Sequence, residues 1–169
     1  MSGVEVRAHD PAWRDRARRA IAEVTGALPG LVVAAEHVGS TAVPGLAAKP
    51  IIDLMVSADD LDAVVAAEDR LAAIGYRRRD TGMPERLFYQ RDGHHLHVVT
   101  TASWDTRNER ILRDHLLANP ADREAYARLK RELAGNDPDT YTRGKTALIQ
   151  RMVDDARDRL GLPRVDVWE

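Results

Sequence analysis

Cysteine is absent from all 169 residues, so disulfides and thiolate-ligated metal centres are excluded. Aromatic residues are scarce at 5%, with a single phenylalanine, Phe88. Neither charge sign dominates: 25 Lys and Arg face 27 Asp and Glu, a formal net charge of −2. A chain so balanced gives no strong nucleic-acid signal. The basic run Arg77-Arg78-Arg79 is answered by acids nearby. No apolar run approaches the roughly 20 residues that cross a bilayer, so no membrane partner is expected. The start of the chain lacks the apolar core of an export signal. Together with the missing cysteine, this points to a cytoplasmic location, with Met1 and Ser2 reading as a native start.

What is present suits one globular domain: 44% hydrophobic and 31% charged residues over a length that can bury a core. Val4 to Ala8 reads as a short strand or an extended lead-in. Asp10 as N-cap and Pro11 at the first helical position predict a helix to about Leu28, ended by Pro29-Gly30. Leu31–Val38 and Ile51–Val56 read as strands, the second so apolar that it belongs in the middle of a sheet. Ser57 or Asp59 caps a helix to about Ile74, closed by Gly75, before a strand over Tyr76–Arg79 and a loop over Thr81–Pro84. From Asp105 the pattern is helical, in segments of about 105–117, 121–133 and 137–160. The expected fold class is α+β. It comprises a small mixed β-sheet with flanking helices in a core of about 1–104, a helical C-terminal half of about 105–160, and a loose tail over 161–169.

The stretch His37–Val56, HVGSTAVPGLAAKPIIDLMV, concentrates the chemistry. A Gly39-Ser40 turn is followed by a loop carrying two prolines and Lys49, then by a strand bearing one acid, Asp53. An unpaired carboxylate in such a strand costs several kcal/mol, so Asp53 must face a cleft, meet a cation, or both.

A second segment fixes geometry. Asp92-Gly93 is a tight hairpin signal between Glu85–Arg91 and His94–Thr100. Such a turn sets Phe88 opposite His97, Tyr89 opposite Leu96 and Gln90 opposite His95. Side chains alternate along strands, so Arg86, Phe88, Gln90, His95 and His97 share a polar face. Leu87, Tyr89, Leu96 and Val98 share the apolar one.

The order strand, Gly-Ser, loop, acidic strand resembles the nucleotidyltransferase superfamily typified by DNA polymerase beta. The longer stretch resembles, more narrowly, the signature of the GrpB family. The resemblance continues through His9-Asp10-Pro11-Ala12-Trp13, Gly75-Tyr76, His95-Leu96-His97-Val98, Arg113-Asp114-His115-Leu116, Tyr126-Ala127-Arg128-Leu129-Lys130, and Tyr141 with Lys145. It implies a nucleotidyltransferase-like fold and a partner that is a nucleotide or other phosphorylated small molecule. Gly39, Ser40 and Thr41 would hold phosphates, as backbone N–H groups at such a turn do. Lys49 and Arg86 would offset phosphate charge, and Tyr141 and Lys145, one helical turn apart, would close the pocket. Asp53 would carry a divalent metal, magnesium or manganese.

The chain departs from active members of the superfamily at Met55, where a second acid is usual. A thioether is a poor ligand for a hard cation. His95 and His97 stand where a third acid is usual, so Asp53, His95 and His97 form an alternative metal set suited to a transition ion such as zinc. Asp53 and His97 are then the candidate catalytic residues, histidine acting as ligand or general base. Three functional readings stay open: nucleotidyl transfer, nucleotide or partner binding without catalysis, and an enzyme of another class built on the Asp/His/His set. The sequence leaves the oligomeric state open.

Overall fold

The computed structural model describes residues 3–83 and 85–167. Met1, Ser2, the loop residue Pro84 and the tail residues Trp168 and Glu169 lie outside the described residues. The chain divides into two compact units. One comprises Pro11–Val38 and Ile51–Asp105; the other comprises the residues up to Asp10, Gly39–Pro50 and the residues from Thr106 onward. The α+β class, with a small mixed sheet and a helical C-terminal part, is as the sequence predicts.

The first unit holds the sheet. Its strands are β1 (Ala34–Val38), β2 (Ile52–Ala58), β3 (Arg77–Arg79), β4 (Arg86–Arg91) and β5 (His94–Thr100), in the order β1-β2-β5-β4-β3. Only β2 and β5 run parallel; the other neighbours are antiparallel. β2 is interior, as its near-continuous apolar run predicts. Asp92-Gly93 makes the expected turn, with Gly93 at φ 72° where a Cβ would be strained, and the hairpin register is Phe88–His97, Tyr89–Leu96, Gln90–His95.

The apolar face of this sheet is a core: Ile52, Leu54, Val56, Tyr89, Leu96 and Val98 are each at most 1% exposed. Helix α1 (Ala12–Ala27) packs on β1 and β2 and buries Trp13, Ala17, Ala20 and Val24 at a helical repeat. Several boundaries differ from the sequence pattern. The first helix begins at Ala12 with Pro11, not Asp10, at the cap position, and the helix expected from Asp105 begins at Asn108. β1 starts at Ala34 rather than Leu31. The cap before the next helix is Asp60, whose carboxylate accepts from the Ala63 N–H at 3.2 Å. The single helix expected to Ile74 is two, α2 (Leu61–Ala66) and α3 (Glu68–Ala73), parted at Ala67. The break sets Glu68 at the start of α3, where it accepts from the Tyr89 hydroxyl at 2.9 Å and pairs with Arg78 at 3.1 Å.

The second unit is built on α4 (Asn108–Ala118), α5 (Pro120–Leu133) and α6 (Pro138–Leu160). Asp137 caps α6 through the Thr140 N–H at 3.0 Å, with Pro138 in the first turn, as that dipeptide predicts. Val43 and Leu46 of the 39–50 segment join Leu116, Tyr126, Ile149, Met152 and Val153 in one core. The sequence pattern groups this segment with the sheet core of about 1–104; its apolar side chains place it with the helices. Near the N-terminus, Arg7 and Ala48 form an isolated antiparallel bridge, so the lead-in is extended without becoming a full strand. The tail expected to be loose is tied down as far as Val167. Gln150 holds it by accepting from the Val167 N–H at 3.1 Å and donating to the Val165 carbonyl at 2.9 Å, and Arg157 donates to the Pro163 carbonyl at 2.6 Å.

One polar knot links the three helices. Arg159 donates to Nδ1 of the buried His115 at 2.6 Å, so the ring proton sits on Nε2 and faces Asp122 Oδ2 at 2.6 Å. Arg151 donates to the other Asp122 oxygen at 2.7 Å. That Arg151 bond, with the His115 N–H, holds the Asp122 carboxyl below the ordinary aspartate range. A depressed carboxylate stabilises the fold fully above its unfolded pKa of about 3.9 and stops doing so as pH falls through its lower native value. Asp122→Asn leaves a buried imidazole N–H with a poorer acceptor, a loss of about 1–3 kcal/mol. Thermal melts at neutral pH should show a drop of about 2–4 °C per kcal/mol. The gap from the parent should close as the pH is lowered below about 4.

Candidate functional site

In the sheet unit, the site is a product of register. The parallel pairing of β2 with β5 sets Asp53 beside His95 and Met55 beside His97. The hairpin adds Gln90 beside His95 and Phe88 beside His97. Register partners share a face, so the polar face predicted from the hairpin also carries Asp53. His95 Nδ1 lies 3.3 Å from Asp53 Oδ1 and His97 Nε2 lies 4.0 Å from the same oxygen, with 27% of the Asp53 side chain still exposed. His37 pairs with Leu54 and therefore lies on the opposite face.

The far nitrogen of each ring decides where its proton sits. Arg86 Nη1 lies 3.2 Å from His97 Nδ1. A guanidinium only donates, so Nδ1 accepts and the proton of the neutral ring is on Nε2, toward Asp53. Gln90 Nε2 lies 3.3 Å from His95 Nε2, and Arg79 Nε donates to the Gln90 carbonyl oxygen at 3.3 Å. The arginine fixes the amide so that its N–H faces the ring, which leaves the His95 proton on Nδ1, again toward Asp53. Two relays, Arg79–Gln90–His95 and Arg86–His97, thus converge on one carboxylate, with His95 at 3.3 Å and His97, at 4.0 Å, outside hydrogen-bond reach. Phe88 steadies both rings, its centroid 5.2 Å from His95 edge-on and 4.9 Å from His97.

This arrangement bears on the metal. The structure brings Asp53, His95 and His97 together, but with the proton-bearing nitrogen of each ring on the side of the carboxylate. A metal needs a lone pair from each imidazole. Here one ring nitrogen accepts from Arg86 or Gln90 and the other carries the proton. Among the described residues, no group of three His, Asp or Glu is arranged to hold an ion. Met55 is 0% exposed and packs with Val38, Val99 and Trp104, so the usual second-acid position is filled by an apolar cluster. The residues as arranged do not fit a transition ion.

In the helical unit, Gly39 takes φ 74°, a conformation that favours glycine, and opens a short 3-10 turn over Ser40–Ala42. Thr41 is turned inward at 2% exposure. Lys130 of α5 is also 2% exposed and donates from Nζ to the Ser40 hydroxyl; its ammonium stands 4.4 Å from the Tyr126 ring centroid. Tyr141 is 1% exposed, and two further ammonium groups approach its ring: Lys145 at 4.4 Å and Lys49 at 5.4 Å from the centroid. The Tyr141 hydroxyl has no hydrogen-bond partner among the described residues, and burial pushes its pKa up to about 12. Gly39, Ser40, Thr41, Lys49, Tyr141 and Lys145 therefore fall in one unit, and Asp53, Arg86, His95 and His97 in the other.

Sequence reasoning missed several of these groups. Lys130 reads as one more solvated lysine; the only pointer was its place in the Tyr126–Lys130 stretch. Arg79 looks like part of a basic run, yet it orients Gln90. Glu36, the β1 partner of Met55, puts a second carboxylate on the Asp53 face. Finding it requires the antiparallel pairing of β1 with β2.

Comparison with known proteins follows the same lines. A family model described as GrpB protein matches residues 3–155. The UPF0157 protein YqkA of Bacillus subtilis is 32% identical over 134 residues, 75% of this chain and 39% of that protein. A UPF0157 protein of Pseudomonas aeruginosa is 38% identical over 167 residues, 89% of this chain and 66% of its own length. The chain thus spans less than two thirds of these two curated relatives. Among solved structures, the conserved protein GrpB from Enterococcus faecalis superposes with a TM-score of 0.85 at 28% identity, over 93% of this chain and 99% of that one.

The two relays predict ring tautomers. At neutral pH a long-range proton–nitrogen NMR correlation should find neutral His97 protonated at Nε2 and neutral His95 at Nδ1. Arg86→Ala should alter the His97 pattern and leave that of His95 in place. The opposite tautomers in the parent protein would contradict the assignment.

Proposed function

We propose that this chain, which belongs to the GrpB family, binds a nucleotide or similar phosphorylated small molecule through a phosphate cradle at the Gly39-Ser40 turn. The observation that carries this reading is the buried Lys130 ammonium on the Ser40 hydroxyl. An ammonium and a hydroxyl held together beside this turn are donors of the kind that a phosphoryl oxygen accepts. The left-handed Gly39 and the following 3-10 turn supply backbone N–H groups of the kind that cradle anions. Lys49 and Lys145 gather on the Tyr141 ring, an arrangement that suits a ligand carrying more than one negative charge. The motif order supports the wider nucleotidyltransferase relationship.

The catalytic form of the reading, nucleotidyl transfer with magnesium or manganese, rests on Asp53, which is partly exposed on an interior strand. With Met55 sealed in an apolar cluster and both imidazoles turned donor-first toward Asp53, no step is routed through a metal. Binding is the function the geometry supports best.

Calorimetry with the four ribonucleoside triphosphates and with pyrophosphate, with and without manganese, tests it. Binding is expected without an absolute need for the metal. Ser40→Ala should weaken it by a few-fold, the scale of one neutral hydrogen bond at about 1 kcal/mol. Lys130→Met should weaken it by about tenfold or more, as expected for a charge-assisted contact. Absence of binding by all five compounds would refute the cradle. Steady pyrophosphate release from a triphosphate would instead establish transfer.

A further inference from the structure

Beside β3 and β4 the sheet unit holds a cavity of about 450 Å³, within the size range of small-molecule sites. Arg79 and Arg86 line it, with Phe88 and Met83 as apolar surface. The charged groups of its wall each have partners in the fold: Arg79 donates to Gln90 and Arg86 to His97. Arg78 pairs with Glu68 at 3.1 Å, and Asp80 accepts from the Gly82 N–H at 2.9 Å, shaping its own loop. Arg79 and Phe88 are register partners, so a guanidinium and the chain's only phenylalanine stand side by side on one face. Planar guanidinium forks match carboxylate and phosphoryl oxygens, and an aromatic ring offers a flat apolar floor.

We propose that this cavity binds a small organic oxyanion, a carboxylate or phosphoryl head on a short flat apolar body, and that Arg86 and Arg79 transmit its occupancy to Asp53. The head would sit between the two guanidinium groups and the body against Phe88. The same two arginines begin the relays that set the His97 and His95 protons. An oxyanion that draws the Arg86 N–H away from His97 Nδ1 weakens a contact that favours the ring proton on Nε2. The hydrogen bonding offered to Asp53 then changes, although the ligand touches neither Asp53 nor its histidines. These residues are separate from those of the Ser40 cradle, so the inference stands or falls independently of the phosphate reading.

The test uses the full chain, isotope-labelled, with benzoate and phenyl phosphate as probes and benzyl alcohol as the neutral control. At least one of the two anions should shift the backbone amides of Arg79 and Phe88, with an affinity at least about tenfold above that of benzyl alcohol. Arg79→Gln and Arg86→Gln should each cost about tenfold, the scale of a charge-assisted bidentate contact. Arg79→Lys, which keeps the charge but not the fork and is the gentler change for the fold, should recover only part of the loss. The His97 ring nitrogens should move with each anion that binds in the parent protein and stay still in Arg86→Gln. Equal binding of the alcohol, undiminished binding by the Arg79→Gln, Arg86→Gln double variant, or shifts confined to residues 39–50 and the C-terminal helices would overturn the site. Binding with unmoved His97 nitrogens would overturn the coupling. If the carboxylate binds and the phosphate monoester does not, the head is a carboxylate, and the reverse result identifies a phosphoryl group.

Discussion

A carboxylate on an interior strand is the constraint around which the sheet unit is arranged. Asp53 sits on β2 with β1 on one side and β5 on the other. Moving a carboxylate out of water without partners costs several kcal/mol in real proteins. The fold offsets that cost through register: β5 runs parallel to β2, and the pairing that aligns the two strands also delivers His95 and brings His97 within ion-pair range. A slip of one residue would send both imidazoles to the apolar face and leave the acid without them. The hairpin turn at Asp92-Gly93 is therefore as much a part of the site as the histidines, because it fixes which β4 residues support the rings.

The helical unit solves a similar problem with the opposite sign. Lys130 is a buried cation, and the Ser40 hydroxyl, the Ala47 carbonyl and the Tyr126 ring surround its ammonium. These partners come from a loop and a helix far apart in sequence. The apolar side of that loop, Val43 and Leu46, is fastened into the helical core, so the Gly39-Ser40 turn has a rigid footing. A turn held this way is preorganised, and preorganisation lowers the entropy lost when a ligand is captured.

The parts of this architecture that were legible in the sequence are those encoded locally. A two-residue turn signal gave the hairpin, its register and the composition of both faces. An Asp-Pro pair marked the start of the last helix, and an apolar run marked the interior strand. Parallel pairing of β2 with β5 has no local signature, so Asp53 and the histidines could be placed on one face only by resemblance. Lys130 lay out of reach for the same reason: its partner is 90 residues away. The α2–α3 break and the anchored tail depend on contacts of Glu68 and Gln150 that no period or cap reveals. The metal set fared differently. The parallel register did bring two imidazoles and a carboxylate together, but ligation depends on which nitrogen carries the proton. That is decided by Arg86 and Gln90, whose roles appear only once the strands are paired.

The identity of those supporting groups changes what this face attracts. A carboxylate meant to bind a cation does best amid other carboxylates or carbonyls, which leave a net negative field. Asp53 has arginines at the head of both relays and an apolar cluster at the neighbouring position on its own strand. A ligand approaching this face meets charges of both signs: Asp53 and the Glu36 carboxylate on one side of the imidazoles, and the guanidinium groups of Arg79 and Arg86 at the heads of the relays. The same aspartate that marks a metal site in one setting stands, in this one, on a face of mixed sign, with an imidazole between it and the Arg86 guanidinium.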